Sequence, residues 1–544
     1  MLSEFVPAGL HPGRRLHPAG EALLASVLAT LAYFALQGEL PYHDARRFAD
    51  QVGGGVFIWD IAHILLQPAA MLLYAWSGAS PNAALKALSG LSTAAAVGLF
   101  YYLLLRLNVP RSRAVLGTLI LAGCCSVLTL APSAHPKLVA FPFVNGALLC
   151  LCLAERAGAS NWRPLLLGGV LLAVAGAFLA SALMTAPFAA LAILFAARRG
   201  GASLGTAFGR ASIVGAACGL SFLLIACLGY VLLTGEPLSL AGLTGSVAGK
   251  AELRPPSLSL PVQLARVVFG TVNNLVALPE LGATMQAWMR GQIPSLRPYA
   301  GLLPVLGLAL VAGLLVAATY LRSAILAPRR SCLVPLAFLC GAQVWTLWYG
   351  LNDPEHWFQL TAPTITLFVT LMPAEVVRWG LPVWAATATA ANLALLAVPV
   401  ATYPLARHEA ELSGMLRPAD LLVSFAGYPG RAYVGFFNMP DVRRFRIDLQ
   451  LQGPGATVQG TLDAMQGDVE QTLGNGGRVL VADVLSPTDW EAPWMSLLGH
   501  GLTKPKLQGA LLAGHTAQPL NDIGGIKLWE LRHASVAEAD TLPK

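Results

Sequence analysis

PYHDARRFADQVGGGVFIWDIAHILLQP, residues 41–68, decides how the rest of the chain is read. It follows the first long apolar run. It gathers Tyr42, His43, Asp44, Arg46, Arg47, Asp50, Asp60 and His63 into a chain of which only 12% is charged. With the residues that follow, FIWDIAHILLQPAAMLLYAW (57–76) is apolar enough to resemble a membrane span. Whether it crosses the membrane or lies along it sets the side on which every later loop falls.

Composition supplies the setting. Of 544 residues, 56% are hydrophobic, and a soluble chain carries roughly twice this share of charge. The class is therefore a polytopic α-helical membrane protein. The net charge of +7 fits arginine on the cytoplasmic side and an anionic lipid surface. With no basic patch interleaved with aromatics, nucleic acid is not an expected partner. The eight cysteines lie in apolar runs, and Cys150-x-Cys152 is neither a zinc nor a redox spacing. They read as small buried hydrophobes, with no disulfide framework. Arg14 and Arg15 before the first run suit an uncleaved signal-anchor.

Apolar runs of spanning length fall at about 20–37, 84–106, 114–131, 138–155, 164–181, 183–197, 211–234, 299–321, 331–350, 358–376 and 380–402. That is about 11 transmembrane helices, the run 183–197 being short. With a cytoplasmic N-terminus, the inner turns carry Arg106, Arg111 and Arg113, then Arg156 and Arg163, then Arg198, Arg199 and Arg210, then Arg322, Arg329 and Arg330, then Arg378. This is the positive-inside bias. It holds only if 56–76 is not a full span, so 57–76 is expected to be a juxtamembrane or re-entrant helix. Asp60 and His63 then avoid the hydrocarbon, where charge is costly.

The outer side collects the unusual segments: loop 38–83, the turn Ser133–Lys137, loop 235–298, Asn352–Trp357, and the chain from about 404. Within 235–298, residues 259–278 read as an interfacial helix. Past Tyr403 polar residues rise. DAMQGDVEQTL (463–473) reads as a helix that NGG (475–477) ends, and RVLVADV (478–484) and IKLWEL (526–531) read as strands. The expected organisation is a transmembrane part, 1–403, a small periplasmic α/β domain, 404–535, and a disordered tail, 536–544. No internal repeat, phosphate loop or nucleophile elbow is present.

Several residues carry two readings each. Asp44, beside His43, can deprotonate an acceptor, with burial, Arg46 and Arg47 tuning it, or can cap a helix over Ala45–Gln51 and pair with an arginine. His135 and Lys137 can neutralise a phosphate or form a polar turn stopped by Pro136. His356 heads the run 358–376, where the helix dipole favours an anion, while Asp353 and Glu355 can cap the same helix. Lys86 can snorkel or touch a phosphate. Asp483, Asp489, His500 and His533 show no ligand spacing and read as solvated, and no metal site is expected. Taken together, one carboxylate and several cations on one membrane face suit transfer of a group from a phosphate-activated lipid.

The pattern resembles the GT-C superfamily of membrane glycosyltransferases, similar to protein O-mannosyltransferases and lipid A aminoarabinose transferases. The resemblance rests on Asp44 in YHDARRFADQ after the first span and on the segment 57–76. It rests also on ALKALSGLSTAAAVGLFYYLLLRLNVPRSRAVLGTLILAG (84–123) and on DPEHWFQLTAPTITLF (353–368). It implies a polyprenyl-phosphate-sugar donor and a lipid, glycan or protein acceptor at the outer face of a bacterial inner membrane. It implies Asp44 as catalytic base. His43, Arg46, Asp60, His63, Lys86, His135, Lys137 and His356 are then substrate-binding candidates. The family's second acidic residue falls on Asp50 or Asp60, and a divalent metal is left open without support. A lipid-linked oligosaccharide flippase and a non-catalytic cell-envelope scaffold are the competing readings. Spans nearly free of charge at their centres favour the enzyme.

Overall fold

A computed structural model of the chain describes residues 17–39, 45–55, 57, 59–133, 136–243, 274, 332–349, 354–371, 374–424, 442–447, 450, 457–482, 484–485, 502–520, 522–523 and 527–534. The chain is mostly helical. Helix α1 (Pro18–Ala35) starts on proline, with His17 Nδ1 accepting the Ala19 amide. Two short helices follow, α2 (Ala45–Gly53) and α3 (Leu66–Ser77), before α4 (Pro81–Arg106). Ser80 caps α4 by accepting the Ala83 amide. The chain continues through α5 (Arg111–Gly123), α6 (Cys125–Leu130), α7 (Phe141–Arg156), α8 (Trp162–Phe178), α9 (Thr185–Arg199) and α10 (Leu204–Thr234). Later come α11 (Leu333–Tyr349), α12 (Pro354–Leu371), α13 (Ala374–Asn392), α14 (Val398–Ala401) and α15 (Leu405–Met415).

Among the described residues, five helices are long and apolar enough to cross a membrane: Pro18–Ala35, Pro81–Arg106, Lys137–Arg156, Ala180–Arg199 and Leu204–Thr234. Shorter apolar helices lie at Trp162–Phe178, Leu333–Val344 and Phe358–Leu371. The expected run 299–321 lies outside the described residues, as do loop residues 244–273 and the tail 536–544. Only 11% of the apolar stretch of α1 and 22% of that of α10 is buried. Their outward leucines, Leu23, Leu31, Leu220 and Leu232 among them, form a surface that lipid accepts and water does not.

Two expected helices differ from their sequence reading. The run 114–131 is broken: α5 stops at Gly123, Cys124 is extended, and α6 restarts the helix. The break frees carbonyls that hydrocarbon cannot satisfy. Asn392 Nδ2 donates to Gly123 O at 2.7 Å, and the Tyr33 hydroxyl reaches Ala122 O at 3.4 Å. Gly123 has no side chain because Thr389 fills the space where a Cβ would sit. Asn392 itself ends α13, and a π-helical segment, Leu393–Ala397, follows it. The second difference is in 57–76. Among the described residues of this stretch only Leu66–Ser77 is helical, and residues 61–65 form turns. At about 1.5 Å per residue, α3 measures ~18 Å, short of the ~30 Å of hydrocarbon. Leu72 and Trp76, one turn apart, are its most exposed large apolar residues, which suits a helix lying in the interface.

The helices alternate direction so that arginines collect at one end. Arg111 pairs with Glu21 at 3.1 Å, joining the starts of α5 and α1. Arg156 donates to Arg106 O at 2.7 Å, and Arg210 to Gly158 O at 3.1 Å. At the opposite end Gly38, just past α1, meets the last residues of α14. A Cβ there would lie 2.6 Å from Ala401 Cα.

Past α15 the chain contributes a five-stranded sheet of order β2-β1-β3-β5-β4. The strands are β1 (Leu421–Ser424), β2 (Arg443–Arg446), β3 (Val479–Ala482), β4 (His515–Pro519) and β5 (Leu528–His533). β1 pairs parallel with β2 and β3, while β5 runs antiparallel to β3 and β4. Helices α16 (Val458–Gly474) and α17 (Lys504–Leu512) cover it. Leu421, Val423, Leu462, Met465, Val469, Val479, Val481, Leu507, Leu511 and Leu531 form an apolar core of their own. The helix expected over 463–473 lies within α16, and the strands expected at 478–484 and 526–531 coincide with β3 and β5.

Candidate functional site

Of the residues singled out by the sequence, Asp60, His63, Lys86 and Lys137 are described, and they fall at the end of the bundle opposite the arginines. Their places are fixed mainly by backbone groups. The turn 60–65 is shaped by Asp60, whose Oδ1 accepts the Ala62 amide at 2.9 Å, and whose carbonyl accepts the His63 amide at 2.9 Å. The turn then docks on the C-terminus of α8, whose last carbonyls have no helical partners. Leu65 N donates to Ala177 O at 3.0 Å, and His63 Nδ1 lies 2.9 Å from Phe178 O. A carbonyl only accepts, so the proton on His63 is at Nδ1. In return Ala180 N donates to Ala62 O at 3.1 Å. The segment that the sequence leaves between span and surface is thus held as the cap of another helix.

Neighbouring side chains lock this turn. Ile64 is fully buried with Ala177 and Ala226. Trp59 stands edge-on to Tyr230, ring centroids 5.0 Å apart, and its Nε1 donates to Leu243 O. The Phe48 ring, from α2, stands edge-on to His63 at 5.9 Å. α2 begins at Ala45, the residue after Asp44, and Gln67 Nε2 ties it to α3 by donating to Gln51 Oε1.

Lys86, one turn into α4, donates to the Gly38 carbonyl. The adjacent Glu39 carboxylate accepts the Ala406 amide at 2.9 Å, in the first turn of α15. An anion at a helix N-terminus is favoured by the helix dipole. The end of α1, the start of α4 and the start of α15 are therefore joined through 38–39. Lys137 lies in a 3₁₀ turn, Pro136–Ala140, and is 6% exposed. Four residues on, Phe141 packs edge-on against Phe358 at 5.4 Å. Phe358 is two residues past His356, so the starts of α7 and α12 meet at this end. Asp44, His43 and His135 lie outside the described residues, as do the side chains of Arg46, Asp50 and His356.

Polar residues of α12 that the sequence reading passed over enter the bundle here. Gln359 Nε2 donates to Ser181 Oγ at 2.6 Å, and Asn274 Nδ2 to Thr361 Oγ1 at 2.6 Å; all four residues are buried. The signal was the Q-L-T spacing after Trp357, which reads equally as an ordinary apolar helix. At the arginine end Glu155 was also passed over. It is buried, and its carboxylate accepts Leu333 N at 2.9 Å and Val334 N at 3.0 Å, capping α11. In the sheet, Asp420 accepts the amides of Arg417 and Arg478, and the Arg478 guanidinium at 2.7 Å. Burial raises its carboxyl's pKa, but these hydrogen bonds outweigh burial and leave it lowered.

No protein-family model matches the chain, and no curated protein does. Solved structures do. The chain is similar to the Archaeoglobus fulgidus oligosaccharyltransferase in the apo form, at 13% identity and a TM-score of 0.50, over 92% of this chain and 73% of that one. It also aligns with ArnT from Cupriavidus metallidurans bound to undecaprenyl phosphate, at 12% identity and a TM-score of 0.49, over 94% of this chain and 98% of that one. The chain shares the fold of the oligosaccharyltransferase. The resemblance read from the sequence is met at the level of the fold.

Proposed function

We propose that a chain with this GT-C fold is a membrane glycosyltransferase that moves a sugar from a polyprenyl-phosphate carrier to a lipid, glycan or protein acceptor. The end of the bundle opposite the arginines is the reacting face, turned outward from a bacterial inner membrane. Residues 404–535 form a periplasmic domain above it. Asp44, in the chain just before α2, takes the proton of the acceptor hydroxyl or amine. The acceptor atom bonds to the anomeric carbon with inversion, the bond from that carbon to the phosphate oxygen breaks, and the carrier leaves as its phosphate. Lys137, His135 and His356, with His43 and Arg46, offset the charge that develops on the leaving phosphate. Asp60 and His63 are positioning residues that hold the turn between α2 and α3 on the end of α8. Lys86 holds Gly38.

The observation that supports this reading most is the meeting of two elements at that end. The turn bearing the buried Lys137 leads into α7, whose Phe141 packs on Phe358 at the start of α12. A lysine withdrawn from water beside the start of a helix suits an anionic group.

The test is transfer of labelled sugar from polyprenyl-phosphate carriers to native membrane acceptors by the full chain in proteoliposomes. Asp44→Asn is expected to lower turnover by several powers of ten with donor binding retained. Near-normal turnover removes Asp44 from the base's role. One observation favours transport instead: a helix broken between Gly123 and Cys124, next to a π segment. In that reading carrier lipid crosses the bilayer in proteoliposomes and no sugar–acceptor bond forms. The freed carbonyls at the break are taken by Tyr33 and Asn392, which favours the enzyme.

A further inference from the structure

In the sheet, the antiparallel pair β4–β5 places His515 directly opposite His533. Residues paired in this way project from the same face of a sheet, and the two imidazoles lie 5.5 Å apart, tilted by 30°. Glu470 reaches the same place from α16, with Oε1 3.1 Å from His515 Nε2. One ligand atom from each of the three lies within 4.8 Å of the other two. Their spacing in the chain, 45 residues and then 18, matches no metal motif, because helix and hairpin bring them together only in the fold.

His515 is the unusual member. It is 3% exposed, and neither ring nitrogen makes a hydrogen bond. The Glu470 oxygen is within hydrogen-bond distance but off the ring's N–H axis. A buried imidazole with both nitrogens unsatisfied is costly, and a carboxylate oxygen beside an imidazole lone pair repels it. A cation between them reverses both signs. We propose that Glu470, His515 and His533 bind a divalent cation of the zinc class. Two imidazoles and a carboxylate suit zinc far better than magnesium or calcium, which take oxygen ligands. Bonds of about 2.1 Å in a tetrahedron set ligand atoms ~3.4 Å apart. Closing the widest separation from at most 4.8 Å falls to the two exposed side chains, Glu470 and His533. Water completes the shell on the exposed side. The ion fastens α16 to the outer edge of the sheet, where β4 otherwise has one neighbour.

The experiment uses the full-length protein without a histidine tag, stripped with chelator, then titrated with Zn²⁺ and, for its visible spectrum, Co²⁺. The expected result is one high-affinity equivalent per chain, a tetrahedral Co²⁺ spectrum and a raised melting temperature. Glu470→Gln and His533→Gln, both at exposed positions, weaken binding by at least about tenfold and lose the spectrum. Glu470→Asp, which keeps the carboxylate, retains part of the affinity. Wild-type protein that binds no equivalent, or variants that bind as the wild type does, overturn the site. A purely structural Glu470–His515 contact would change the melting temperature of the variants and leave Zn²⁺ without effect on any of them.

Discussion

The two ends of the bundle use polar side chains in opposite ways. At one end arginines reach sideways to spent helix termini: Arg156 to Arg106 O and Arg198 to Ala202 O, both exposed, and Arg210 to Gly158 O, part-buried. Water competes for the exposed ones. At the other end the partners are drawn further from water: Gln359 with Ser181 is buried, His63 with Phe178 and Lys86 with Gly38 are part-buried, and of the four only Glu39 with Ala406 is exposed. The arginine end is built for sidedness, and the opposite end for fixed geometry. A reacting face needs the second, because a side chain held by buried partners costs little to reorganise when charge develops.

If that contrast is right, substitutions at the opposite end are the more damaging. The largest effect is expected at Gly38. A valine there drives its Cβ into the Ala401 backbone, 2.6 Å away, with no flexible side chain to yield. Gly38→Val is expected to abolish the monodisperse folded protein in size-exclusion chromatography, and a normal profile would show that the α1–α14 crossing is loose. Next is Asn392→Leu, which leaves Gly123 O without its amide inside the bundle. It should cost about 1–3 kcal/mol, read as a lowered melting temperature.

Glu155 sharpens the comparison, because it lies at the arginine end but is buried. Glu155→Ala strands two amides of α11 and should also cost ~1–3 kcal/mol. Glu155→Gln, which still accepts, should cost less. Equal losses would mean that the negative charge matters more than the cap. The smallest effect is expected from Arg210→Gln, within roughly 1 kcal/mol, since its contact is polar and partly solvated. A large loss there would break the distinction between the ends.

The sheet handles charge in a third way, by clasping Asp420 with two amides and Arg478. Its carboxyl has a lowered pKa in the folded state, so it stabilises the fold above the ordinary carboxylate range. That stability is lost as pH falls from that range toward the folded value. Asp420→Asn should flatten the acid limb of the sheet's unfolding, followed by circular dichroism. An unchanged limb would assign acid sensitivity elsewhere.

Much of the architecture was legible because lipid imposes simple rules. Apolar length marks the spans, and arginine placement orders their direction, so α1, α4, α7, α8, α9 and α10 fall where the runs predict. The break at Cys124 was not legible. Nothing in VLGTLILAGCCSVLTL announces it, since its carbonyls are satisfied by Tyr33 and Asn392, 89 and 269 residues away. The site was half legible. His63 and Asp60 stood out as polar residues in apolar sequence, but their roles as turn-former and helix cap depend on where α8 ends. His533 read as a solvated histidine, because its partners arrive from a helix and another strand.

By itself, then, the sequence determined the membrane class, the direction of the helices and the side on which polar residues gather. These follow from transfer free energies that act on each segment independently. Only the tertiary structure decided which polar atoms meet: the turn 60–65 with the end of α8, Gly38 with α14, Glu155 with α11, and His515 with His533 and Glu470. Each of these is a pairing of an unsatisfied group with a distant partner. A chain records what each group needs, and the fold decides what supplies it.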